Sequence, residues 1–123
     1  MRYSMRLAAV MALLVLPALA WAKGAGTYSV HGTNSHDQSS YDGTVTVTQA
    51  GDGTWRVRQK IAGESFDGYA IGDGNILAVT YSASGSTYIA VYVARDDGGY
   101  DGFWAEKGDK KVSTETWAPG KGQ

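Results

Sequence analysis

Residues 41–61 read YDGTVTVTQAGDGTWRVRQKI, an aromatic-Asp-Gly opening and two alternating runs joined by a Gly-Asp-Gly turn. Along the first run Tyr41, Gly43, Val45 and Val47 point one way, and Asp42, Thr44, Thr46 and Thr48 the other. After the turn Trp55, Val57 and Ile61 share a face, opposite Arg56, Arg58 and Lys60. A period of two predicts half-buried antiparallel strands, and Ala50-Gly51-Asp52-Gly53 supplies the positive φ values of a tight hairpin. Two strands with one wet face each need more of the same to cover the dry one.

The flanking sequence provides it. Short strands are predicted over Thr27–Gly32, Ser65–Ile71, Ile76–Ser82, Thr87–Arg95, Tyr100–Glu106 and Val112–Trp117. They are separated by the polar loop Thr33–Ser40 and by Gly-, Asp- and Ser-rich turns. Both faces of Thr87–Arg95 are apolar, so its inward side is left open at this point. Pro119, lacking a backbone N–H, marks the expected end of pairing, with Ala118–Gln123 frayed and Lys23–Gly26 a flexible leader. About eight strands with no amphipathic helix predict an all-β, antiparallel up-and-down meander. Closure into a barrel removes the exposed edges, a two-sheet sandwich being the alternative.

The front of the chain reads differently. Arg2 and Arg6 precede the apolar run Leu7–Leu16, and Ala20 and Ala22 fill the small sites of a cleavage point. Residues 1–22 are therefore expected to be a secretory signal peptide, residues 23–123 one exported domain, and the destination the periplasm or the exterior. Taking Arg2 and Arg6 from the 11 basic residues leaves 9 against 12 acidic ones, a formal charge of −3. Such a balance gives no electrostatic reason for nucleic-acid binding. The absence of cysteine excludes disulfides and thiolate chemistry.

One triplet recurs, as Tyr41-Asp42-Gly43, Phe66-Asp67-Gly68 and Tyr100-Asp101-Gly102. A strand glycine permits a bend or a close approach, and the aromatic two residues earlier lies on the same face. Tyr41, Gly43, Phe66, Gly68, Tyr100 and Gly102 are therefore assigned as structural corners. Asp42, Asp67 and Asp101 stand on separate strands, unlike the ligands of a compact calcium loop. His31 and His36, with Asp37, are read as surface residues rather than a metal site. Carboxylate pairs drawn from these aspartates, Glu64 or Glu115 are not specified by the sequence, and no Gly-x-Ser-x-Gly elbow is present. No catalytic residue, metal ligand or cofactor is assigned. The basic row Arg56, Arg58, Lys60 is the candidate partner-binding surface, suited to an acidic protein or a glycan.

Glycines and aromatics recur in the pattern Tyr28-x-Val30-x-Gly32-x-Asn34, Tyr41-x-Gly43-x-Val45-x-Val47, Trp55-x-Val57 and Phe66-x-Gly68. The pattern continues through Gly74-Asn75-x-Leu77-x-Val79-x-Tyr81, Tyr88-x-x-x-Tyr92 and Gly102-x-Trp104 to Thr114-Glu115. It resembles small secreted bacterial β proteins often labelled fibronectin-binding proteins, and in architecture the avidin and lipocalin type of barrel. The resemblance implies a non-enzymatic binding module of the cell envelope or exterior, presenting strands and loops to a protein or glycan such as fibronectin. The alternative is a barrel enclosing a small apolar or aromatic ligand, since the many aromatics suit either a filled or a hollow interior.

Overall fold

The computed structural model describes residues 24–120. The expected signal peptide lies outside them. Eight strands follow in order: β1 (Gly26–Thr33), β2 (Ser40–Gly51), β3 (Thr54–Ile61), β4 (Glu64–Gly72), β5 (Ile76–Ala83), β6 (Ser86–Ala94), β7 (Tyr100–Glu106) and β8 (Ser113–Pro119). Each pairs antiparallel with the next, and β1 pairs with β8, closing the barrel. The meander is therefore a barrel and not a sandwich.

Turn chemistry sets the register. Ala62-Gly63 and Ser84-Gly85 are two-residue links with φ of 53° and 82°, and 49° and 81°. Two successive positive values define the turn whose twist matches that of the flanking strands. Both links are tighter than the sequence suggested, because the strand pairs run into them as far as Ile61↔Glu64 and Ala83↔Ser86. In the β2–β3 hairpin the register shifts between Gln49 and Gly51, a bulge that lets the strand continue past Ala50.

The described parts of the expected leader and tail, residues 24–26 and 118–120, are more ordered than expected. Pro119 is the last residue of β8, opposite Tyr28, and Gly120 N donates to Thr27 O at 2.9 Å. Proline is tolerated there because the strand ends with it. Gly24 is no loose leader either. Its N–H donates to the Tyr100 hydroxyl, its carbonyl accepts from the Tyr28 hydroxyl (2.8 Å each), and the Trp55 ring lies against it.

On β6 the inward face is Tyr88, Ala90, Tyr92 and Ala94, leaving Ile89, Val91 and Val93 on the outer wall. The reason lies across the sheet: Tyr92 sits beside Leu77 and Gly102, which are also inward. One end of the interior, toward Gly24 and the 52–53, 73–75 and 95–99 turns, is packed solid. Trp117 is fully buried there, 4.0 Å from Tyr92 and 5.4–5.6 Å from Tyr100 and Tyr28 between ring centroids. Trp55 Nε1 donates to Gly72 O at 2.9 Å. The opposite end is not filled.

Candidate functional site: a cavity at the open end of the barrel

The strands carry small residues at the positions where the interior opens. Inward glycines Gly32, Gly68 and Gly102 stand beside inward aromatics on the neighbouring strand, at Gly32↔Tyr41, Gly68↔Tyr81 and Tyr92↔Gly102. A methyl group on any of them would collide with the neighbouring ring, at 2.7 Å in the case of Gly68 and Tyr81. Without side chains at these points each ring can pack closely over the neighbouring strand. At this end of the barrel lies a cavity of about 230 Å³ lined by Asn34, Tyr41, Gln59, Ile61, Phe66, Tyr81, Tyr88, Tyr92, Trp104 and Glu115.

Its upper wall is aromatic. Phe66 meets Tyr88 edge to face at 5.6 Å, Tyr88 meets Trp104 at 6.0 Å, and Trp104 meets Tyr41 at 6.4 Å. Such contacts add to the burial energy and fix ring orientations.

Its floor is polar and enclosed. Glu115 on β8 is only 4 % exposed, yet four donors converge on its carboxylate. Oε1 accepts from Tyr92 Oη (2.7 Å), Gln59 Nε2 (2.9 Å) and Trp117 Nε1 (3.1 Å), and Oε2 accepts from Tyr41 Oη (2.7 Å). Four donors and no competing acceptor suit a carboxylate anion. Around it Trp104 Nε1 donates to Tyr41 Oη at 2.8 Å, and Gln59 Nε2 donates to Tyr81 Oη at 2.9 Å. The Tyr81 and Tyr92 hydroxyls are 2.8 Å apart. Because the Tyr92 proton goes to Glu115, Tyr81 is the donor of that pair. Burial, and after it the charge of Glu115, push the hydroxyls of Tyr41 and Tyr81 far above the ordinary tyrosine range. Tyr92 is raised by burial, then by Tyr81 and Glu115.

The mouth carries a braced loop. Residues 34–39 join β1 to β2, and His36 Nε2 lies 2.8 Å from Asp109 Oδ1 in the β7–β8 turn. Ser35 N donates to Ser113 Oγ at 2.9 Å. Asp109 is held below the usual carboxylate range, first by the Glu106 N–H and then by His36.

The residues singled out from sequence separate into two groups. Tyr41 and Phe66 line the cavity, Tyr100 packs in the closed end, and Gly43 is approached by the backbone oxygen of Lys60. None of Gly43, Gly68 and Gly102 has a positive φ. Their shared property is close approach. Asp42, Asp67 and Asp101 face outward, paired with His31 (2.8 Å), Arg58 (3.0 Å) and Arg95 (2.9 Å). Arg56, Arg58 and Lys60 lie on the exposed face of β3, away from the cavity. No group of three or more His, Asp or Glu residues converges among the described residues.

Two site residues are not assigned from the sequence: Gln59, and Glu115, which is named there only among carboxylates without a specified partner. Gln59 occupies the inward position between Val57 and Ile61, and Glu115 the one between Ser113 and Trp117. The signal was the alternation itself, which assigns any residue at those positions inward, polar or not.

No family model and no curated protein matches the chain. Among solved structures, lipid binding protein 8 of Caenorhabditis elegans is similar, with a TM-score of 0.51 at 7 % identity over 78 % of this chain and 94 % of that one. EF1p2_mFAP2b, solved bound to DFHBI, is similar with a TM-score of 0.50 at 16 % identity over 80 % and 92 % of the two chains. At these identities the likeness is one of fold.

Proposed function

We propose that this protein is an exported carrier or receptor that holds one small, largely aromatic or apolar molecule in the open half of its barrel. The observation that carries the reading is the cavity: aromatic at the wall, polar at the floor and open at one end. Pockets for small molecules combine an apolar lining with a few fixed polar groups. The two similar barrels, one a lipid binding protein and the other holding DFHBI, support the same reading. A binding protein is favoured over an enzyme because Glu115 is the single carboxylate among the cavity-lining residues, with no histidine beside it. Native mass spectrometry of protein purified from its source tests this. A small adduct released on denaturation is expected. A bare mass in repeated preparations, with no change in tryptophan fluorescence on adding small aromatic compounds, would contradict it.

A second reading follows the resemblance to fibronectin-binding proteins and is favoured by the basic row on β3. Arg58 is tied to Asp67, whereas Arg56 and Lys60 are in no ion pair among the described residues. That leaves two free cations for an acidic protein or glycan outside the cytoplasm. Retention on immobilised fibronectin that is lost in Arg56→Glu/Lys60→Glu would support it. Equal retention of both proteins, or none, would count against it.

A further inference from the structure

We propose that the cavity selects a small organic cation with N–H donors, its amine or amidine end held between Glu115 and Gln59 and its body boxed by the aromatic wall. The inference rests on the small-ligand reading above and narrows it to one chemical class.

The first ground is charge. Glu115 is buried, and its four partners are all neutral: two phenols, an amide and an indole. None of the ion pairs among the described residues includes it. Four hydrogen bonds offset much of the desolvation of a carboxylate, but its field still fills a cavity of low dielectric. A cation entering there gains that field, a neutral molecule does not, and an anion is repelled. The faces of Tyr41, Phe66, Tyr88 and Trp104 favour positive charge as well.

The second ground is a count of donors and acceptors. Tyr41 and Tyr92 give their protons to Glu115, and Tyr81 gives its proton to Tyr92. Trp104 gives its N–H to Tyr41, and Trp117 gives its own to Glu115. The Gln59 amide nitrogen faces Glu115 and Tyr81, since reversing the amide would set its oxygen against the carboxylate. Every donor of the floor is therefore committed. What remains open are acceptors. Gln59 Oε1 accepts no hydrogen bond from the described residues although the side chain is 2 % exposed, and Glu115 Oε2 holds only the Tyr41 proton. A buried acceptor without a donor is costly, and a ligand N–H satisfies it. A cavity of 230 Å³ holds roughly eight molecules of water, or a ligand of comparable size such as one ring with a short chain.

The experiment measures binding of phenethylamine, phenethyl alcohol and phenylacetate by calorimetry, with tryptophan fluorescence as a second readout. The three share a ring and differ in end-group charge. Phenethylamine is expected to bind roughly tenfold or more tighter than the alcohol, and phenylacetate not measurably. Glu115→Gln is expected to abolish the preference for the amine over the alcohol. The wild-type comparison decides even if that variant does not fold. Alcohol or phenylacetate binding as tightly as the amine overturns the cation inference and leaves the small-ligand reading standing. So does a neutral adduct in the native spectrum with no binding of phenethylamine. Absence of any adduct and of binding by all three compounds overturns both.

Discussion

Glycine and tyrosine act as a unit in this barrel. Where an inward glycine meets a ring from the next strand, as at Gly68 with Tyr81 and Gly102 with Tyr92, the ring is held against the wall. A valine at either position must displace a buried tyrosine that belongs to the Glu115 network, so overpacking and hydrogen-bond loss add. Gly68→Val and Gly102→Val should each cost about 1–3 kcal/mol or more in urea unfolding, and Gly43→Val, set against the Lys60 carbonyl, a similar amount. Asp42→Asn, Asp67→Asn and Asp101→Asn each alter one surface contact, to His31, Arg58 and Arg95 respectively, and should stay within about 1 kcal/mol of the parent. The reverse ranking would show that the aspartates of the repeated triplet are the critical members. The triplet drew attention to Gly68 and Gly102, but its own aromatic is not the ring that covers them. That ring comes from a neighbouring strand, and no spacing within one segment reveals a cross-strand pair.

The hairpin links store a small strain. Ala62 and Ser84 adopt the left-handed region, where a Cβ is disfavoured and asparagine is better tolerated. Converting each link to Asn-Gly, as Ala62→Asn and Ser84→Asn, should raise stability by about 0.5–1 kcal/mol, read as a higher urea midpoint at unchanged slope. A lower midpoint would mean that these side chains serve the mouth of the cavity. The strands were legible because alternation and glycine punctuation are local, and so was the antiparallel meander. The inward side of β6 was not, because both of its faces are apolar and only its partners on the adjoining strands, among them Leu77 and Gly102, select the Tyr88–Tyr92 side. The order at Gly24 and Gly120 is not legible for a like reason. Gly24 and Gly120 are held by long-range hydrogen bonds to Tyr28, Tyr100 and Thr27.

The molecule as a whole is a barrel with one solid half and one hollow half, and its pH response follows from the division between them. Tyr81 and Tyr92 are buried with hydroxyls raised far above their ordinary value, so the folded state keeps protons that the unfolded chain gives up above about pH 10. The contribution of these tyrosines to stability is constant below that pH and falls above it, by about 1.4 kcal/mol per pH unit for each tyrosine that ionises only on unfolding. Tyrosinate absorbance from these rings should rise together with loss of the β signal in circular dichroism. A rise well before unfolding would mean that water reaches the floor. The closed barrel could be expected from the need to remove sheet edges, whereas the sequence left a filled and a hollow interior equally open, since the same aromatics can pack across a barrel or line a cavity in it. The most direct measurement uses the indoles as position markers, in a ¹H–¹⁵N titration of the protein with phenethylamine. The Nε1 resonance of Trp104, in the cavity wall, should shift saturably and that of Trp117 beneath Glu115 should follow, while Trp55 at the closed end stays in place. Saturable shifts confined to outer-wall residues, or equal shifts of all three indoles, would contradict the hollow half as the binding site.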